Sequence, residues 1–257
     1  MRTVVKVGTS TLAYSTGRLN IRHMEKLCRV LSDLKNAGHE IILVSSGAVG
    51  MGMGRLALSE RPRDTVTKQA VAAVGQCELM YTYDKLFSEY DHTIAQILLT
   101  ADDVNDPAHR DNFVATAERL LGMGVLPVIN ENDTVSTEEF GIGDNDTLAA
   151  FVAANTGASL LVLLSDIDGL YTADPRKDAE AKLIPKVERI TEEIEALAGG
   201  AGSAVGTGGM ATKIKAARIA GEAGCDTVIA NGKDPAVLYA IIDGEEIGTR
   251  FAGNGND

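Results

Sequence analysis

The strongest constraint on the fold is a rhythm in the chain. Short apolar runs rich in Val, Ile and Leu, at residues 3–7, 41–44, 94–99, 125–129, 160–164 and 227–230, alternate with amphipathic stretches. Apolar runs this short, bounded by turn residues, are the mark of buried strands, whereas helices need a longer pattern with a period of 3.6. The intervening segments supply that pattern. Ile21, Met24, Leu27, Val30, Leu31 and Leu34 share one helical face, with Asn20 placed to cap the helix and Gly38 to stop it. Helices are also predicted over 65–88, 111–123, 148–155, 191–197, 211–223 and 235–242. Alternation of this kind predicts an α/β fold with a largely parallel sheet covered by helices on both faces. Pro127 inside the 125–129 run points to a strand edge or a bulge. No fixed-period repeat and no Pro- or Ser-rich linker divides the 257 residues, so a single domain over 1–257 is expected.

Charge and composition narrow the partners. With 24 Lys plus Arg against 36 Asp plus Glu, the formal net charge is −12. A surface of that sign repels nucleic acid and anionic membranes, so a phosphate-bearing ligand must be small and held by local positive groups. The apolar runs, such as 160–164, are far shorter than the ~20 residues that span a bilayer. The N-terminal Met1-Arg2-Thr3-Val4-Val5-Lys6 enters a strand-like run at once, without a signal-peptide pattern. Cys28, Cys77 and Cys225 are odd in number and scattered, which suggests neither a disulfide framework nor a zinc site. A soluble, cytoplasmic protein is expected.

In parallel sheets, ligands bind where strands end and loops turn into helices. The first run carries Lys6 between valines and ends at Gly8-Thr9-Ser10. Lys6 reads either as an edge-strand lysine facing water or as a lysine reaching phosphate oxygens. After the second run come Ser45-Ser46-Gly47-Ala48, and four glycines lie between Gly47 and Gly54. They predict a loop or helix start where backbone approaches something closely. Gly52-x-Gly54-x-x-Ala57 nominally fits a loose dinucleotide fingerprint, though it begins eight residues after the run rather than directly behind it. Asn130-Glu131-Asn132-Asp133 and Gly141-Ile142-Gly143-Asp144-Asn145-Asp146 open abruptly from apolar neighbours. They fit a site for an ammonium group, a metal or lysines, the plainer readings being a surface turn and a helix cap. Ser165 and Asp166 emerge where the 160–164 run leaves the core, an ordinary place for a nucleotide contact. Finally, Gly206-Thr207-Gly208-Gly209-Met210-Ala211-Thr212-Lys213 feeds the 211–223 helix. A Gly-rich loop before a helix N-terminus offers free N–H groups and partial positive charge to an anion. Lys213 in that first turn opposes the helix dipole and calls for a compensating anion. The P-loop spacing is absent, so this is another class of phosphate binder.

Together these segments, with Gly169-Leu170-Tyr171-Thr172-Ala173-Asp174-Pro175, resemble the amino-acid kinase family, in order and over nearly the whole chain. The Asn130–Asp133 and Gly143–Asp146 segments are most similar to members that phosphorylate glutamate. The resemblance implies a three-layer αβα sandwich with glutamate over the N-terminal half and ATP over the C-terminal half. It implies that Lys6 and Lys213 bind the transferring phosphoryl group and that Asp146 holds them. Ser46, Asp133 and Asn145 match the glutamate site, with Gly47, Asn130 and Asp144 nearby. Ser165, Asp166, Thr207, Gly208, Gly209, Met210, Ala211, Thr212 and Lys213 match ATP contacts. ATP with Mg²⁺ is the implied cofactor pair, with no protein metal ligand assigned. Transfer to the L-glutamate side chain, giving L-glutamyl 5-phosphate, would open proline biosynthesis. Family members are often inhibited by proline and form dimers or tetramers, and the same is expected here. Many carry a C-terminal PUA domain, which is not expected in a chain stopping at Asp257.

The expected chemistry suits the residues. A glutamate carboxylate is ionised at pH 7 and attacks phosphorus without a general base, and none of His23, His39, His92 and His109 lies in the clusters. The alternatives are a kinase of the same fold acting on aspartate, N-acetylglutamate, carbamate or a nucleoside monophosphate; a non-catalytic nucleotide or amino-acid sensor; and a dinucleotide-binding oxidoreductase.

Overall fold

The computed structural model describes residues 1–14, 18–135, 145–198 and 209–254. Six parallel strands form its centre: β1 (Arg2–Val7), β2 (Glu40–Ser45), β3 (Ile94–Leu99), β4 (Leu126–Glu131), β5 (Leu160–Ser165) and β7 (Asp226–Asn231). Two short strands, β6 (Lys186–Val187) and β8 (Thr249–Phe251), extend one edge, β8 running antiparallel to β7. The order is β3-β4-β2-β1-β5-β7-β8-β6.

The pleat divides the core in two. Val5, Val7, Ile41, Leu43, Val162 and Leu164 point to one face. There they meet α2 (Ile21–Asn36), α4 (Thr65–Ser88) and α10 (Val237–Ile242). Val4, Ile42, Val44, Ile129, Leu161 and Leu163 point to the other. That side is covered by α6 (Pro107–Gly122), α7 (Asn145–Asn155) and α9 (Met210–Glu222). Alternate residues of one strand thus serve two helical layers, which is the doubly covered sheet the apolar runs predict. Remaining helices are α1 (Thr9–Leu12), α3 (Ala48–Arg55), α5 (Ala101–Asn105) and α8 (Glu192–Ala198).

The predicted punctuation works as expected at α2. Asn20 accepts a hydrogen bond from the His23 amide at 3.2 Å, and Gly38, at φ +93°, turns the chain after the helix. Two expectations change. Pro127 lies in an interior strand rather than at an edge. It is tolerated because the pairing of β4 with β2 begins only at Val128, so the missing N–H interrupts no bond to β2. The glycines after Gly47 take the helix-start alternative, Gly50, Gly52 and Gly54 lying inside α3. Gly52 and, on α4, Gly75 bring the two helices together, since a Cβ on Gly52 would strike the Val71 carbonyl and one on Gly75 the Ala48 carbonyl. The dinucleotide fingerprint is therefore a helix-packing contact, not a phosphate turn. Gly75→Ala is expected to destabilise the protein by about 3 kcal/mol or more, because backbone rather than a side chain must move; a denaturant melt measures it.

Among the described residues no helix is long and apolar enough to cross a membrane. The three cysteines are free, Cys28 and Cys225 in the core and Cys77 exposed.

Candidate active site

Because the six central strands are parallel, their C-terminal ends share one edge of the sheet, and the polar residues behind them gather there. β1 lies between β2 and β5, so the edge-strand reading of Lys6 fails. The pleat turns Lys6 to the same face as Val4, toward α7 and α9. Asp146, in the first turn of α7, is fully buried there. Lys6 Nζ stands 2.6 Å from its Oδ1, and Lys213 Nζ, from the first turn of α9, 2.9 Å from its Oδ2. Thr212 Oγ1 lies within hydrogen-bond reach of Asp146 Oδ2 (3.2 Å) and of the Gly209 carbonyl (2.8 Å). Lys6 is 8% exposed and Lys213 4%. An ammonium taken out of water is costly unless paired, and here two share one carboxylate. The trio sums to one positive charge in a place that excludes water, which favours a small, multiply charged anion. The anion that Lys213 requires against the helix dipole is supplied first by Asp146 itself. Burial pushes the Asp146 carboxyl up, but the charges and hydrogen bonds of Lys6 and Lys213 outweigh it and hold the group below its ordinary value.

Asn145, the residue before Asp146, faces a second cluster. Its Nδ2 donates to Ser46 Oγ and to Asn130 Oδ1, each at 2.8 Å. Asn130 Nδ2 donates in turn to Gln76 Oε1 of α4, also at 2.8 Å. Ser46 is tied to the end of β1, its amide donating to the Val7 carbonyl at 3.1 Å. Gly47 caps α3 at φ +115°, a left-handed conformation that a Cβ would strain, so glycine lets the chain turn directly behind Ser46. Asp133 follows β4, half-buried and outside this hydrogen-bonded chain. Burial foremost, and the neighbouring Glu131 charge, push its carboxyl up to about 6 against the opposing pull of Lys68 and Arg61.

On the other side of β1, Ser165 ends β5 and Asp166 follows it, the Ser165 hydroxyl donating to Asp166 Oδ1 at 3.2 Å. Since Val7 pairs with Leu164, Ser165 lies one residue beyond the end of β1. Gly209 caps α9, and Met210, Ala211, Thr212 and Lys213 form its first turn. Asp144, Thr207 and Gly208, also expected at the site, lie outside the described residues. No described histidine belongs to these clusters: His109 pairs with Asp103, and His92 Nε2 contacts the Ser32 carbonyl.

Sequence reading passed over Gln76. The available signal was a lone amide on the inward face of the 65–88 helix, among Val71, Ala72, Leu79 and Tyr83. The contact of Thr212 with Asp146 was equally invisible, because it joins two segments remote in the chain.

The αβα sheet that sets lysines from β1 and α9 on a shared carboxylate has a fold met in other proteins. Two solved structures share the fold over nearly the full length. A UMP kinase from Bacillus anthracis superposes with a TM-score of 0.67, covering 99% of this chain and 96% of that one at 17% identity. A T. acidophilum isopentenyl phosphate kinase gives a TM-score of 0.66, covering 98% and 100% at 16% identity. Such identities speak for the fold alone. The model of the amino acid kinase family matches residues 1–231, and the chain belongs to that family. In sequence it is most informatively compared with enzymes named glutamate 5-kinase. It is 50% identical to that of Clostridium perfringens over 254 residues, 97% of this chain and 94% of the relative. It is 54% identical to that of Clostridium tetani over 248 residues, 96% and 93% of the two chains. Identity reaches 57% with that of Carboxydothermus hydrogenoformans over 251 residues, 97% of this chain and 67% of the relative.

Proposed function

We propose that this protein is a phosphotransferase that moves the γ-phosphoryl group of ATP to the side-chain carboxylate of L-glutamate, forming L-glutamyl 5-phosphate, the first step of proline biosynthesis. The observation that carries the reading is the adjacency of Asn145 and Asp146. One residue joins the amide and hydroxyl cluster, and the next joins the lysine pair. A short substrate bound by the first cluster therefore has its far end beside the second. The identity to glutamate 5-kinases over nearly the whole chain supports glutamate as that substrate.

Glutamate lies over the N-terminal half, with Ser46, Gly47, Asn130, Asp133, Asp144 and Asn145 around it. ATP lies over the C-terminal half, with Ser165, Asp166 and the Thr207–Lys213 segment around its phosphates. The γ-carboxylate is already ionised and needs no base. The barrier is repulsion between two anions, met by alignment and by the ammonium groups of Lys6 and Lys213, with Asp146 keeping both in position. Among the described residues no three His, Cys, Asp or Glu side chains gather into a metal site. Mg²⁺ would be held by the triphosphate oxygens and water, with few ligands from the protein, and would neutralise phosphate charge there. The family resemblance supports proline inhibition, homo-oligomeric assembly and a cytoplasmic location.

The test is ATP consumption with Mg²⁺ and hydroxylamine, comparing glutamate, aspartate, N-acetylglutamate and carbamate. Hydroxamate from glutamate alone is expected. Trapping with another acid would transfer the specificity to that acid, and ATP binding without turnover on any of them would favour a sensor.

Asp133 is read as the partner of the glutamate ammonium, and its raised carboxyl makes two measurable statements. An ionised carboxylate is needed to hold an ammonium, so the KM for glutamate should rise as pH falls below about 6 while that for ATP stays level. A value raised above the ordinary 3.8 also means that the folded state binds the proton more tightly, so this group costs stability as pH rises through about 6. Asp133→Asn is expected to gain about 1–2 kcal/mol of stability at neutral pH, discounting for partial exposure. The same change should raise the KM for glutamate about tenfold or more. Thermal melts and initial rates on one preparation check both.

A further inference from the structure

We propose that Gln76, buried in α4 and away from the reacting groups, is the positioning residue that sets the hydrogen-bond polarity of the glutamate subsite. The inference rests on the function proposed above and deepens it. Asn130 and Asn145 are primary amides, and an amide presents a donor on one side and an acceptor on the other. A chain of them can run in either of two directions, and the direction taken here is the one in which the buried amide at its inner end presents oxygen. Gln76 stands at that end. Its Oε1 accepts from Asn130 Nδ2, which turns Asn130 Oδ1 toward Asn145. Asn145 then presents Nδ2 to both Asn130 Oδ1 and Ser46 Oγ.

The consequence appears at the far end of the chain. Ser46 Oγ is already an acceptor, so its O–H is available to donate. Asn145 Oδ1 is left as an acceptor, because both bonds described for its amide use Nδ2. A donor and an acceptor side by side suit a zwitterionic amino acid, with a carboxylate for the hydroxyl and an ammonium for the amide oxygen. With the chain reversed, Asn145 Oδ1 would accept from Asn130 and from Ser46, and both functions would be withdrawn from the substrate. Gln76 is 9% exposed and Asn130 3%, so water has little access to decide the direction instead.

The direction can be tested because a carboxylate and a thioether differ in the one property that matters. Gln76→Glu keeps an acceptor oxygen toward Asn130, whereas Gln76→Met keeps the volume and supplies only a weak acceptor. Gln76→Met is expected to raise the KM for glutamate about tenfold or more, with the KM for ATP unchanged, since it strands the Asn130 donor and frees the chain to reverse. Gln76→Glu, which buries a carboxyl but still offers Asn130 an acceptor, is expected to raise the KM for glutamate less than Gln76→Met does and to leave the KM for ATP unchanged. Equal losses in the two variants would overturn the assignment, because acceptor chemistry would then not be the deciding property. Parallel losses for glutamate and ATP would also overturn it, as the mark of a disturbed core. So would a Gln76→Met protein with a normal KM for glutamate. The parent protein assayed alongside separates the two levels. If it forms no hydroxamate from glutamate, the proposed function fails and takes this inference with it. If it does and Gln76→Met is silent, only the inference fails.

Discussion

Lys213→Ala is expected to lower kcat by about 100- to 1,000-fold, or about 3–4 kcal/mol of transition-state stabilisation, the usual loss when one preorganised donor is removed. The size follows from the setting. The ammonium is 4% exposed and 2.9 Å from Asp146, so water cannot enter to replace it without opening the site. Its partner Lys6 sits 2.6 Å from the other oxygen of the same carboxylate. Lys6→Ala should therefore bring a loss of similar size, and the double variant should lose less than the two together. Groups that serve one transition state are not additive. Single-turnover rates at saturating ATP and glutamate measure the effect apart from binding. A Lys213→Ala protein with nearly normal kcat would remove Lys213 from the reacting centre and leave it a purely structural ion pair.

Asp146→Asn should act on stability as strongly as on rate. It leaves two buried ammonium groups beside a neutral amide, and breaking a buried pair in this way costs about 3–5 kcal/mol. For a chain of this size the loss corresponds to a fall in Tm on the order of 10 °C. The acid limb of stability carries the same signature. Burial raises the Asp146 carboxyl, the two lysines lower it further than that, and the folded value ends below the ordinary 3.8. Its contribution is therefore present above the ordinary carboxylate value and is lost as pH falls through the lowered one. Asp146→Asn should flatten this acid limb, while Asp133→Asn should leave it and flatten the opposite slope near pH 6. A Tm unchanged in Asp146→Asn would show that the lysines find their charge compensation elsewhere.

The elements could be read because their signals are local. Residues 160–164 are apolar in a row and become β5, and the face shared by Met24, Leu27, Leu31 and Leu34 becomes the inner side of α2, while Ile21, expected on the same face, is exposed at the helix start. β6 and β8 escaped because strands of two and three residues carry no period, and exist only through pairing with each other and with β7. The glycines after Gly47 left loop and helix start both open for a related reason. A glycine needed for close approach of two helices looks, in sequence, like one needed for a turn, and only the position of the Val71 and Ala48 carbonyls tells them apart.

The candidate site divides in the same way. Sequence alone determined the αβα plan, the acidic surface that restricts partners, and the polar segments at the ends of elements, including Lys6, Asn130, Asn145, Asp146 and Lys213. Those features are legible because strand ends and helix starts are marked by neighbours along the chain. Tertiary structure alone decided that Lys6 is interior rather than at an edge, that the carboxylate between the two lysines is fully buried, and that the Gln76 amide oxygen meets Asn130. Each of these depends on strand order and helix packing, which bring together groups remote in sequence whose charges and hydrogen bonds acquire a partner only after the chain has folded.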